Sequence, residues 1–188
     1  LLLLEFCAEE AAGGTVGPGL FEGSAFLRRW VSYMEGYDGY MDHASKDTLA
    51  GYKKTKEKGR EPEGSEAASH MDDLAGASRI APLLYYLLSG SEGSLKVGPV
   101  VEAARAQAAV THNDPMVLES AAFFAELTIA ALKGESPVKT AWKLVEGSYA
   151  DGKIAALVKR GLESVEKDST EAIAELGQAC SVEHGMPS

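Results

Sequence analysis

The sequence predicts an all-α fold, in the form of one orthogonal multi-helix domain over residues 1–188. Apolar residues recur at helical spacing along most of the chain, and capping residues or prolines precede several of these stretches. No stretch alternates apolar and polar residues between turn signals, and there is no heptad seam or internal repeat. Many helices of about 12–18 residues joined by short loops favour orthogonal packing around one core.

In the first half of the chain, we expect three helices. The first covers residues 1–10, which are strong helix formers, and a glycine-rich loop follows at 13–19. The second is amphipathic and runs from residue 24 to about residue 35, with Ser24 as its cap. The third starts near Ser45 and ends by Gly59, and residues 59–70 are the most loop-like segment.

The second half predicts a series of helices punctuated by prolines. A helix rich in small residues starts near residue 75, and Pro82 should kink or restart it. Further helices are expected at roughly 98–111, 115–133, 137–150 and 152–167. Asp114 and Ser136 are their clearest caps, and Asp168 should cap a last helix, with Glu171 placed as in a capping box.

Both ends of the sequence resemble the inside of a longer protein. The first helix has neither a cap nor an initiating Met, and residues 181–188 contain no obvious terminus. We therefore expect the chain to be an interior part of a longer one.

Composition excludes some partners and compartments. The formal net charge of −10 argues against nucleic acid, because binding phosphates requires clustered Lys and Arg. No apolar run approaches the roughly 20 residues of a membrane span. Two cysteines and no signal peptide predict a cytoplasmic location or another reducing compartment.

The common catalytic signatures, such as a phosphate loop or HExxH, are absent from the sequence, and three polar groupings remain. Asp38, Asp42, His43 and Asp47 form the first. Such oxygen ligands could hold a hard cation, but their spacing fits no EF-hand, and a solvated turn with Asp and Ser caps is favoured.

The second grouping is the polar loop from Gly64 and Ser65 to Asp72 and Asp73. It could cap the following helix or approach the phosphates of a ligand, and the residues alone leave both open. The third grouping, Thr111 and His112, lies at a helix junction. Its imidazole could donate to a ligand oxygen, although a structural role is more common for a lone histidine.

In order, these segments resemble the ADP-ribosylglycohydrolase family, in particular the branch of jellyfish J-type crystallins and their selenoprotein relatives. The stretches that carry the resemblance are MEGYDGYMDHASKDTL, DDLAGASRIAPLLY, VTHNDPMVLESAAFFAELTIAALKGESP and ELGQACSVEHGMPS. The chain departs from the hydrolases at Leu74-Ala75, where they usually have Asn-Gly.

The resemblance implies an incomplete all-α ADP-ribosylglycohydrolase-like domain that binds ADP-ribose beside two magnesium ions. The family's acidic metal motifs would lie before Leu1 and after Ser188, so no metal ligand and no catalytic residue is assigned within the chain. Substrate contacts are expected from Thr111 and His112 at the ribose and phosphate. They are also expected from the loop of Gly64, Ser65, Asp72 and Asp73. Arg79 matches a structural position, expected to pair with helix ends or a carboxylate.

Two functions follow from the resemblance. The first is magnesium-dependent hydrolysis of ADP-ribosyl linkages, which the chain as written is not expected to perform without the metal carboxylates. The second is a catalytically inactive structural or assembly protein that reuses the fold, as the crystallins do. An ADP-ribose-type ligand and protein partners are thus both compatible with the sequence.

Overall fold

The computed structural model describes residues 2–12, 21–89 and 96–188, and in these residues it is helical, without strands. The helices are α1 (Leu2–Ala12), α2 (Gly23–Met34), α3 (His43–Lys56), α4 (Ala75–Ser78), α5 (Ala81–Ser89), α6 (Val97–Ala109), α7 (Pro115–Leu132), α8 (Pro137–Glu146), α9 (Ala155–Glu163), α10 (Ser169–Leu176) and α11 (Val182–Gly185). The all-α prediction is confirmed. The loop expected at 13–19 lies outside the described residues.

Helices α6 and α7 pack closely against each other at the centre of the domain. Their buried faces are rich in alanine, which lets the two backbones approach closely. The alanines concerned are Ala103, Ala104 and Ala108 in α6 and Ala121, Ala122 and Ala125 in α7. Helices α4 and α8 pack on α7, and α1 packs on α5, so the core extends outward from this central pair.

Helix α7 is long and apolar enough to cross a membrane by length and composition, with a mean hydropathy of 1.5 over Pro115–Leu132. The core helix of a soluble protein passes the same test, and α7 packs against α4, α6 and α8. This test is therefore only weak evidence for a membrane span. That the chain does not span a membrane stays a prediction from the sequence.

Four of the described helices, α2, α3, α7 and α10, start at a carboxylate cap. Asp114 Oδ1 accepts hydrogen bonds from the N–H groups of Met116 (2.8 Å) and Val117 (3.3 Å), as the sequence predicts. Asp168 caps α10 in the same way, through the N–H of Thr170 (2.9 Å). These bonds satisfy amide groups that a helix start otherwise leaves without a partner.

The cap expected at Ser24 is wrong. Helix α2 begins at Gly23, and the carboxylate of Glu22 accepts hydrogen bonds from the N–H groups of Ser24 and Ala25, each at 3.2 Å. The cap is therefore Glu22, two positions before Ser24. Helix α3 likewise starts at His43, two residues before Ser45, because Asp42 caps it.

Pro82 restarts the helix, which was one of the two outcomes expected for it. Helix α4 ends at Ser78, a turn over residues 79–80 follows, and α5 begins at Ala81. Pro82 then lies in the first turn of α5, where its missing N–H removes no helical hydrogen bond. The interruption leaves Arg79 at the junction of two helices.

The segment around α11 pairs with the loop before α4. The Leu74 N–H donates to the Cys180 carbonyl oxygen, and the Val182 N–H donates to the Asp72 carbonyl oxygen, both at 2.8 Å. The Val182 side chain is fully buried, and α11 packs on α7. These contacts hold Asp72 and Asp73 in place beside the central helices.

Candidate functional site

The junction between α6 and α7 carries Thr111 and His112, and a loop residue, Ser69, pairs with it. The Ser69 N–H donates to the Thr111 carbonyl oxygen (3.2 Å), and the Asn113 N–H donates to the Ser69 carbonyl oxygen (2.7 Å). The buried hydroxyl of Thr48 lies 3.2 Å from the same Thr111 oxygen. The backbone of the predicted ribose-contacting pair is therefore fixed from two sides.

His112 is fully buried, and only one of its ring nitrogens has a partner. Nδ1 lies 2.9 Å from Thr111 Oγ1, whereas Nε2 has no hydrogen-bond partner among the described residues. Burial lowers the pKa of the imidazole, the charge of Arg79 lowers it further, and Asp42 and Asp73 act weakly in the opposite direction. A neutral ring with one open nitrogen is thus held inside the domain.

Arg79 pairs with a carboxylate at the start of α3, which confirms the structural role predicted for it. Its Nη2 donates to Asp42 Oδ2 at 2.8 Å, and its Nη1 lies 3.5 Å from Thr111 Oγ1. Burial raises the pKa of Asp42, but hydrogen bonds from Ser45 and the Arg79 charge outweigh it, and the pKa lies below its usual value. Arg79 thereby links the cap of α3 to the α6–α7 junction.

Asp73 acts as a cap in this structure. Its Oδ1 accepts a hydrogen bond from the Ala75 N–H (2.9 Å) at the start of α4. The side chain of Asp72 is exposed, and its carbonyl oxygen is bonded to Val182. Of the two roles left open for this pair, the capping role is therefore observed for Asp73. Asp73 also lies close enough to His112 to affect its charge state.

Gly64 and Ser65 lie in another part of the loop, against the start of α2. The Gly64 N–H donates to Ser24 Oγ at 2.9 Å, and Gly64 has a positive φ of 54°, a backbone conformation suited to glycine. Ser65 is half-buried and accepts a backbone hydrogen bond from Ala68. The structure thus brings Thr111, His112 and Asp73 near one another and places Gly64 and Ser65 beside Ser24.

A cleft of about 590 Å³ lies beside Arg79. Its polar lining includes Asp42, Arg79, Gln107 and Thr111. The remaining walls are mainly aromatic and aliphatic and are formed by Leu2, Leu3, Phe26, Trp30, Tyr33, Met34, Tyr37, Tyr40, Met41 and Pro82. Thr111 is therefore shared between the junction and the cleft.

The magnesium implied by the resemblance does not fit the residues described here. Within residues 2–12, 21–89 and 96–188, no three His, Cys, Asp or Glu side chains converge as a metal site requires. The first polar grouping is used otherwise, since Asp42 caps α3 and Asp47 Oδ2 accepts a hydrogen bond from Ser69 Oγ (3.0 Å).

Gln107 and the tyrosines of the cleft are functional candidates that the sequence did not predict. Gln107 is 4% exposed, although it is a long polar residue. Its position offered a signal, because it follows Ala103 and Ala104 at helical spacing on an apolar face of α6. Tyr37 and Tyr40 lie in the irregular segment between α2 and α3, where no periodicity indicates which side chains come into contact.

The fold and site define a helical domain with a buried, half-bonded histidine at the junction of its two central helices. The model of one protein family, described as ADP-ribosylglycohydrolase, matches residues 1–186. The chain belongs to the ADP-ribosylglycohydrolase family. No curated protein and no solved structure was found to match it.

Proposed function

We propose that this domain binds the ribose and phosphate of an ADP-ribosyl group at the α6–α7 junction, as the recognition part of an ADP-ribosyl hydrolase. The family supports a hydrolase-like function. The observation that carries the proposal is the open Nε2 of His112. A buried polar atom without a partner costs about 1–3 kcal/mol, and a ligand oxygen at this position would remove that cost.

The surroundings of His112 favour donation from Nε2. Arg79 Nη1 points toward Thr111 Oγ1, which directs the threonine hydroxyl hydrogen toward Nδ1 of His112. A neutral imidazole that accepts at Nδ1 carries its proton on Nε2, where it can donate to a ribose or phosphate oxygen. Since Nε2 is shielded from solvent, the segments around it shift when the ligand enters.

The loop residues complete the proposed contacts. The exposed Asp72 and the second carboxylate oxygen of Asp73 accept hydrogen bonds from ribose hydroxyls in this proposal. Ser65 lies apart from His112, beside Ser24 and the positive-φ turn at Gly64, and in this proposal its hydroxyl contacts the diphosphate from there. Magnesium is the ion that the family resemblance favours, with ligands other than the residues described here.

The alternative is a catalytically inactive structural or assembly protein, as in the J-crystallin-like branch. The carboxylates nearest His112 favour it, because both have structural tasks. Asp42 pairs with Arg79 and caps α3, and Asp73 caps α4. Because hydrolysis is not expected without the metal carboxylates, magnesium-dependent release of ADP-ribose by the purified chain would exclude the inactive alternative, and binding of ADP-ribose tests the recognition role.

Calorimetric titration with ADP-ribose tests the proposed site. We expect His112→Ala to weaken binding by about fivefold or more, since roughly 1 kcal/mol is lost with one hydrogen bond. His43→Ala is the matched control, because His43 is exposed at the start of α3. The affinity of this variant for ADP-ribose should equal that of the wild type. Melting curves confirm that both variants fold.

Two results would contradict the proposal. Unchanged affinity in a folded His112→Ala variant would make this histidine a structural residue. No binding of ADP-ribose by the wild-type chain would favour the structural alternative.

A further inference from the structure

The cleft beside Arg79 has a preformed aromatic wall. The rings of Tyr33 and Tyr37 stack with centroids 6.1 Å apart and an interplanar angle of 28°. Trp30 is 8% exposed and lies deeper in the same lining, whereas Tyr40 is 84% exposed at the edge. Flat rings bind well between aromatic side chains, because offset stacking adds to the burial of apolar surface.

Gln107 supplies a polar group within this apolar lining. The residue is 4% exposed, and its Oε1 has no hydrogen-bond partner among the described residues. Its neighbours on the buried face of α6 include Ala103, Ala104 and Ala108, which offer no side-chain partner. An amide oxygen without a partner in such a place is unfavourable for folding, and a ligand group that donates to Oε1 would remove this cost.

The charges at the cleft favour a neutral ligand. Arg79 and Asp42 both contribute to the lining, and they are bonded to each other at 2.8 Å. A cationic ligand would meet Arg79, and an anionic ligand would meet Asp42, so either would disturb the pair. A neutral ligand leaves the pair intact.

We propose that this cleft binds a neutral aromatic ring that carries a primary carboxamide. The Gln107 side chain has an acceptor and two donors side by side, and a ligand carboxamide presents the complementary pair. The ring then lies against Trp30 and the stacked tyrosines. This site differs from the one proposed at His112, and its ligand does not depend on ADP-ribose binding.

Benzamide and N,N-dimethylbenzamide are the probes for this site. They share the aromatic ring and the carbonyl, but the methylated compound has no N–H donor. Titrations followed by NMR at the Trp30 indole should show that benzamide binds about fivefold more tightly, as expected for one hydrogen bond. The absence of saturable benzamide binding would overturn the proposal. Binding of adenine without binding of benzamide would also overturn it.

The variant Gln107→Met separates a binding role from a structural one. Methionine keeps most of the volume and removes the unbonded amide, so the melting temperature should equal or exceed that of the wild type. The preference for benzamide should disappear in this variant. A lower melting temperature together with a retained preference would assign Gln107 to the structure and overturn the proposal.

Two exposed tyrosines give a second, independent comparison. Tyr40 lines the cleft, whereas Tyr85, which is 69% exposed, lies outside its lining. Neither substitution removes a buried side chain, so both variants should fold. We expect Tyr40→Ala to weaken benzamide binding by about threefold or more through lost ring contact, and Tyr85→Ala to leave it unchanged. Equal affinities in the two variants would place the ligand elsewhere.

Discussion

Gln107 and His112 are the two residues whose buried side-chain atoms have no hydrogen-bond partner in the described part of the chain. They lie within five positions of each other, at the end of α6 and in the junction that follows it. Each such atom costs about 1–3 kcal/mol, so two in one place are unusual for a fold selected only for stability. The ligands that we propose for the two positions would remove this cost.

The charge state of His112 makes stability depend on pH. Burial lowers the pKa of the folded imidazole below its ordinary value of 6.5, so the unfolded chain takes up a proton first as the pH falls. Stability should therefore be full above pH 6.5 and decrease as the pH falls toward the lower folded pKa. Urea unfolding at pH 7.5, 6.5 and 5.5 measures this decrease.

His112→Gln is the matched variant for this experiment, because glutamine keeps a polar side chain that does not titrate in this range. Between pH 7.5 and 5.5, the free energy of unfolding should decrease less for His112→Gln than for the wild type. Parallel curves for the two proteins would show that another group causes the dependence.

At the scale of helices, the sequence predicts what local chemistry determines. Asp114 and Asp168 act as caps as expected, and Pro82 restarts a helix, because each effect involves only neighbouring residues. Ser24 is not a cap because the helix already begins at Gly23, where Glu22 accepts hydrogen bonds from the Ser24 and Ala25 N–H groups. The contact of α4 with the α6–α7 junction could not be predicted, since it depends on how distant segments pack.

Gly76 is the residue through which α4 contacts that junction. A Cβ added there would lie 2.6 Å from His112 Cγ and 2.9 Å from Val117 Cγ1, closer than real contacts allow. Gly76→Ala should therefore lower the free energy of unfolding by about 1–3 kcal/mol, as overpacked cores do. Chemical denaturation gives this value directly.

Gly23→Ala, at the start of α2, serves as the comparison. Its added Cβ would lie 3.7 Å from Val110 Cγ2, which is an ordinary van der Waals distance. We expect a change within about 0.5 kcal/mol for this variant. Equal effects of the two substitutions would mean that α4 does not pack tightly on His112.

For the whole molecule, the sequence predicts the fold class and the residues of the junction but not how the candidate site is assembled. Thr111 and His112 are adjacent in sequence, so their proximity is no surprise. Ser69, Asp42 and Arg79 reach them from separate helices and loops through long-range contacts. Gln107 and the tyrosines of the cleft also come from separate segments, and no local sequence pattern predicts that they line the same cleft.

Val182 tests whether the last helices are part of the cooperative fold. Its side chain is fully buried, and its N–H bonds the carbonyl of Asp72 in the loop that leads to α4. If α11 unfolds together with the core, Val182→Ala should cost about 2 kcal/mol in urea unfolding, because buried methyl groups are lost. The exposed Val165 is the control, since its side chain is 59% accessible and Val165→Ala should change stability by less than about 0.5 kcal/mol. An equally small effect at Val182 would show that α11 separates from the core before global unfolding. The backbone hydrogen bonds that hold Asp72 and Asp73 beside His112 would then break with it.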